Sequence, residues 1–139
     1  MYAEFTDDLK TGNKLIDSQH KELIGRINDL LVCCENGKDK EETEKILDYL
    51  TEYTMFHFDA EEALQRELNY PGYEEHKKKH EELRKTVDEL HAMLDSEGNT
   101  EAFRKRVEKD VLDWLLYHIN GFDRSVAEYK FMTDNPDLL

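Results

Sequence analysis

The sequence predicts an all-α protein, an up-down-up-down four-helix bundle with an N-terminal arm and a short C-terminal helical tail, and three observations carry that expectation. Of the 139 residues, 38% are hydrophobic and 37% charged, with only 6 Gly and 2 Pro, a composition that suits long amphipathic helices better than a turn-rich β protein. Apolar residues recur at spacings of three and four through four separate stretches, the period at which side chains share one face of a helix. Short breaks built on Asn, Pro and Gly separate the stretches, and short connections make consecutive helices run antiparallel. A chain of this length suits one core, so residues 1–139 read as a single domain.

Residues 1–16 carry Tyr2, Phe5, Leu9, Leu15 and Ile16 without a helical period, and Gly12-Asn13 marks a turn. This segment reads as an arm packed over one end of the bundle. Asp17 is a good N-cap, and His20, Leu23, Ile24, Ile27, Leu30, Leu31 and Cys34 then form the stripe of a helix over about 17–36, closed by Asn36-Gly37. Asp39 followed by Glu42 resembles a capping box. After it, Ile46, Leu47, Leu50, Tyr53, Thr54, His57, Glu61, Leu64 and Leu68 mark a second helix, about 39–68. Glu62, one residue beyond Glu61, points elsewhere and reads as solvated. Asn69-Tyr70-Pro71-Gly72 breaks the pattern, and a third helix, about 72–95, buries Tyr73, His76, His80, Leu83, Val87, Leu90 and Leu94. Thr100 caps a fourth, about 100–120, whose inner face is Phe103, Val107, Val111, Trp114, Leu115 and His118. Gly121 weakens or ends it, and residues 122–131 add the helical tail.

Charge and cysteine usage narrow the function. With 33 Asp+Glu against 19 Lys+Arg, the net charge of -14 repels phosphate backbones and anionic membrane surfaces, so neither nucleic acid nor membrane is an expected partner. The N-terminus has no basic region followed by an apolar one, and no apolar run is long enough to span a bilayer; the expected location is the cytoplasm. Cys33 and Cys34 are adjacent, which excludes a disulfide framework and suggests one sulfur half-buried and one nearer the surface.

The histidines carry the chemistry. Five of the six, His20, His57, His76, His80 and His118, fall on inward stripes, and Glu61 lies one turn after His57. Each imidazole alone is compatible with a hydrogen-bonded core residue. A small bundle burying five of them with a glutamate loses apolar contacts and finds few free backbone groups to pair them, and a metal resolves that cost. His91 lies on another register and reads as a surface residue. Imidazole with carboxylate suits iron, zinc, copper or manganese over calcium or magnesium. Five histidines exceed one ordinary site, whereas two ions sharing a bridging carboxylate use them all, with Asp123 as a second bridge. His118 and Asp123 are five apart, about 140° round a regular helix, so they converge only if the backbone leaves α geometry, which Gly121 permits.

The set Asp17-x-Gln19-His20, His57-Phe58-x-x-Glu61, His76-x-x-x-His80 and Trp114-Leu115-x-x-His118-Ile119-x-Gly121-x-Asp123 resembles the hemerythrins, specifically the bacterial single-domain kind, over nearly the whole chain. That resemblance implies a non-haem di-iron cofactor: two iron ions (Fe2+/Fe3+) with a bridging oxo or hydroxo group. It implies that His76, His80 and His118 bind one iron, that His20 and His57 bind the other, and that Glu61 and Asp123 bridge them. Dioxygen, the implied partner, binds at the iron with two histidines, in a pocket lined by Leu23, Phe58, Trp114, Leu115 and Ile119. An ordinary bundle core accounts for those five residues as well.

The leading expectation is therefore reversible dioxygen binding for storage, delivery or scavenging, by a monomer or low oligomer, with no catalytic residues. A reductase or oxygen-consuming protein is a further conceivable partner. Two alternatives stand beside it: a di-iron enzyme acting on peroxide or nitric oxide, and iron storage or buffering. The pocket stripe offers no spare acid or base, which favours binding over turnover.

Overall fold

Asn13, not Asp17, opens the first helix. Its side-chain oxygen accepts from the Ile16 amide at 3.0 Å, satisfying one of the donors that a helix start leaves free. In the computed structural model, which describes residues 2–138, helix α1 runs Lys14–Glu35, α2 Lys40–Glu67 and α3 Tyr73–Glu97. Asp39 caps α2 by accepting from the Glu42 amide at 2.8 Å. Between α2 and α3, Asn69 takes a positive φ of 52°, and the Tyr70 amide returns to the Gln65 carbonyl at 2.9 Å, so the chain reverses within a few residues.

The last rod differs most from expectation. Thr100 caps it through the Phe103 amide at 3.1 Å, but it does not stop near Gly121. It continues as α4 (Glu101–Arg106), a π-helical stretch (Val107–Asp113), α5 (Trp114–His118), a second π-helical stretch (Ile119–Asp123) and α6 (Arg124–Asp134). The expected separate tail is thus a continuation of the same rod. A π turn widens the helix by one residue while backbone pairing goes on, so a glycine here weakens the rod without ending it. Gly121 is not one of the positive-φ glycines, which are Gly12, Gly37 and Gly98. A Cβ built on it meets nothing within 4 Å. The wide turn therefore does not depend on glycine.

Antiparallel order follows from the pairings at the helix ends. Lys40, at the start of α2, donates to the carbonyl of Asp95 near the end of α3 at 2.9 Å, and the Asn99 amide group donates to the Lys38 carbonyl at 2.9 Å. Reversal at each turn gathers Ile27, Leu30, Leu31, Leu47, Leu50, Leu90, Leu94, Phe103 and Val107 into an apolar half. It carries the histidine-bearing ends of all four rods into the other half. Each large apolar side chain buried this way contributes about 1.5–3 kcal/mol, and these residues drive the bundle together.

The arm also departs from its predicted course. It lies along α1 instead of over one end: Ala3 exchanges two hydrogen bonds with the Asn28 side chain, at 3.1 and 2.7 Å, and the Tyr2 hydroxyl bonds Glu35. Leu9, in a 3-10 turn at Asp7–Leu9, is buried. Asp17 anchors this arm, its carboxylate accepting from the Thr11 amide and hydroxyl, both at 2.8 Å, and from the Gly12 amide at 3.3 Å. Arg124 donates to the Asp8 carbonyl at 2.6 Å and ties the arm to α6.

Cys33 is buried, its sulfur 3.3 Å from the Thr43 hydroxyl, and Cys34 is half-buried; both are free thiols. Burial, and then the neighbouring Cys33, push the Cys34 thiol up to about 11. Among the described residues, no helix is long and apolar enough to cross a membrane.

Candidate metal centre

The one-turn spacing on α2 and α3 stacks His57 over Glu61 and His76 over His80, and antiparallel packing turns the two pairs toward each other. His20 enters from α1, His118 from α5, and Asp123 from the second π stretch. On a regular helix His118 and Asp123 would diverge; the wider turn puts both on the inner face, with Asp123 Oδ1 3.1 Å from His118 Nε2.

The two carboxylates lie between two groups of imidazoles. Glu61 Oε1 is 2.6 Å from His76 Nε2 and 3.3 Å from His80 Nε2, while its Oε2 is 3.4 Å from His57 Nε2. Asp123 Oδ1 is 2.9 Å from His76 Nε2, and Oδ2 is 2.7 Å from His20 Nε2. Each carboxylate thus directs one oxygen toward His76 and its neighbours and the other toward the His20–His57 side. Two overlapping donor sets result. In one, Glu61, His76, His80, His118 and Asp123 each offer an atom within 4.8 Å of the others; in the second, His20, His57, Glu61 and Asp123 do the same.

Whether a pair of cations fits can be judged from the atoms these residues leave unpaired. Among the described residues, the Nε2 atoms of His20, His57 and His80 and all four oxygens of Glu61 and Asp123 are buried with no hydrogen-bond partner of good geometry, although they lie close to one another. His76 Nε2 and His118 Nε2 approach to 2.9 Å. Buried polar atoms left unpaired cost about 1–3 kcal/mol each. Lone pairs converging without donors between them are what shared cations satisfy, so the donor set fits two metal ions of the nitrogen- and oxygen-binding kind.

The electrostatics point the same way. Burial, reinforced by His20, lowers the His57 pKa to about 3. Burial, with His76 next, takes His80 to about 2, and burial also lowers His76. These imidazoles are neutral, the form that binds metal. Burial, with Asp123 beside it, raises Glu61 well above the ordinary range. Burial alone would raise Asp123 too, but the close approach of His118, His20 and His76, whose Nε2 atoms lie 3.1, 2.7 and 2.9 Å from its oxygens, holds it well below. Two carboxylates this close resist ionising together unless positive charge lies between them.

Around the donors lies a layer that orients the rings. Gln19 Oε1 meets His57 Nδ1 at 2.6 Å, the Gln65 side-chain amide meets His76 Nδ1 at 3.0 Å, and Glu62 Oε2 meets His80 Nδ1 at 2.8 Å. Phe58 stacks on His80 at 3.8 Å with the planes 5° apart. His118 sits between Trp114 and Phe122, at 4.5 and 5.3 Å, both nearly parallel to it. His20 Nδ1 has no hydrogen-bond partner among the described residues.

Glu62 corrects the sequence reading. It is buried, not solvated, because about 100° of rotation from Glu61 turns it toward α3. His91 stands apart from the cluster, half-buried, with Nε2 3.0 Å from the Thr51 hydroxyl and Nδ1 3.7 Å from Asp48. Leu23, Phe58, Leu115 and Ile119 are buried in one apolar cluster, with Trp114 half-buried against it. Gln65, Phe122 and Arg84 were not singled out from the sequence. Gln65, four residues after Glu61, continues the α2 stripe and was legible there; Phe122 and Arg84 gave no such sign.

The family model described as the hemerythrin HHE cation binding domain matches residues 11–128. The chain is 32% identical to a bacteriohemerythrin of Stenotrophomonas maltophilia over 123 residues, covering 88% of this chain and 77% of that protein. A bacteriohemerythrin of Aquifex aeolicus is 30% identical over 119 residues, 86% of this chain and 90% of its own length. A myohemerythrin of Sipunculus nudus is 29% identical over 117 residues, 84% of each chain.

Proposed function

Because this chain belongs to the hemerythrin family, we propose that it binds dioxygen reversibly at a non-haem di-iron centre, for oxygen storage, delivery or scavenging. The observation that carries this reading is the pair of buried donor sets sharing Glu61 and Asp123. His76, His80 and His118 would hold one iron and His20 and His57 the other, with both carboxylates bridging. Held this way, the iron pair would supply the electrons that bind dioxygen reversibly.

The chain's own residues make that chemistry reversible. Imidazole adds no charge of its own as a metal ligand, so five of them with only two carboxylates would leave a reduced iron pair net positive, which disfavours further loss of electrons. Leu23, Phe58, Trp114, Leu115 and Ile119, all in or against the apolar core, would line the oxygen pocket and keep water and protons away. None of these five carries a group able to give or take a proton, which supports binding over catalytic turnover.

Metal analysis of protein expressed with iron, then anaerobic reduction and optical spectra before and after admitting oxygen and again after degassing, tests the proposal. The expected result is about two irons per chain and a visible band that appears with oxygen and leaves with it. Irreversible oxidation, or catalytic consumption of peroxide or nitric oxide, would replace the carrier role with an enzymatic one. Iron that exchanges freely would point to storage.

A further inference from the structure

Among the described residues, His80 is the histidine of the cluster whose outer nitrogen meets a carboxylate. Glu62 Oε2 accepts from His80 Nδ1 at 2.8 Å, whereas His57 and His76 meet neutral amides. Glu62 in turn is held by Arg84, whose Nη2 donates to the same Oε2 at 3.1 Å. The guanidinium also lies over the Phe58 ring, 5.4 Å from its centroid, and the same ring stacks on His80. Arg84, Glu62, His80 and Phe58 therefore close a ring in which each touches the next. Arg84 is pinned on its outer side by Glu81 and Asp59. The Glu62 side chain is only 8% exposed, so its hydrogen bond to His80 has little competition from water.

Resting on the di-iron reading, we propose that Glu62, clamped by Arg84, is a positioning residue that fixes the Nδ1–H tautomer and ring plane of His80 and strengthens its Nε2 as a metal donor. A proton held on Nδ1 leaves the Nε2 lone pair free, and Nε2 is the atom that faces Glu61. A carboxylate on Nδ1–H pushes electron density through the ring, and such partners typically change metal affinity about 10–100-fold. The two donor sets are thereby made unequal, with the richer donor on the three-histidine side. Phe58 stops the ring from rotating, and Arg84 stops the carboxylate from leaving.

The test uses iron-loaded Glu62→Gln, Glu62→Ala and Arg84→Met beside the unmodified protein. Iron content, the rate of iron loss to a chelator, and the midpoint potential of the iron pair are measured on each. Glu62→Gln keeps a hydrogen-bond acceptor but loses the charge. It is expected to retain both irons and to shift the midpoint potential upward, a change that a merely structural role would not produce. Glu62→Ala is expected to release iron roughly 10–100 times faster, and Arg84→Met to move both readouts the same way by less. Unaltered potential in Glu62→Gln and Arg84→Met, with unaltered iron loss, overturns the inference while leaving the di-iron reading intact. An unmodified protein that takes up no iron overturns that reading itself. Should Glu62→Ala fail to fold, the other two variants still decide.

Discussion

Glu61 presents its two oxygens to different histidines, so its removal has wider effects than loss of a single donor. His57 touches only one donor set, and His57→Ala is expected to lower iron from about two per chain toward one. Glu61→Ala removes a donor from both sets and is expected to leave less than one. His91→Ala, outside both sets and bonded instead to Thr51, is expected to keep full iron. Metal analysis on the purified variants checks all three, and full occupancy in Glu61→Ala would remove that residue from the centre. At this scale the buried histidine cluster was legible in the sequence because burying an imidazole on an apolar stripe is costly without a partner. Glu62 was not, because its partners His80 and Arg84 lie on another helix and a single sequence does not show which neighbouring faces meet. Asp17 was misjudged for a related reason: the residue suits an N-cap, but Asn13 takes that place and leaves Asp17 free to hold the arm.

Among the elements, α1 to α3 were readable to within a few residues because their apolar period, caps and breaks agree. The last rod was not, since a π turn adds one residue without changing composition, and periodicity measured across it slips. The need for a wide turn was still visible from His118 and Asp123, whose spacing cannot converge on an α-helix; the stretch at Val107–Asp113 had no such pair to announce it. Gly121 was credited with permitting the turn; the wide stretch does span it, but its helical backbone and open Cβ direction show no need for a glycine there. Gly121→Ala is therefore expected to retain both irons and to gain about 0.5–1 kcal/mol of stability from helix propensity. Urea denaturation with metal analysis reads this directly, and loss of iron would show that the glycine is needed.

For the whole molecule, metal binding at such a centre would make stability and metal content one equilibrium. Removing the metal leaves unpaired buried donors, and restoring it at 1,000 times its dissociation constant is expected to add about 4 kcal/mol, seen as a higher Tm. The metal-free protein has a predictable pH dependence. His57, His76 and His80 have lowered pKa values, so below about 6.5 the unfolded chain takes up protons that the folded one refuses. Glu61, raised, opposes them by taking a proton in the folded state. Three groups against one leave stability present above about pH 6.5 and lost as pH falls toward 4.5, by roughly 1.4 kcal/mol per pH unit for each net proton. Denaturation of chelator-treated protein at two pH values checks the sign; greater stability in acid would overturn it. The donors are also distributed so that every rod of the bundle supplies at least one: His20 from α1, His57 and Glu61 from α2, His76 and His80 from α3, His118 and Asp123 from the last. Ions held there would act as a rivet through all four rods. With metal in place no rod could peel away alone, so escape of the metal and global opening of the bundle would share one slow clock.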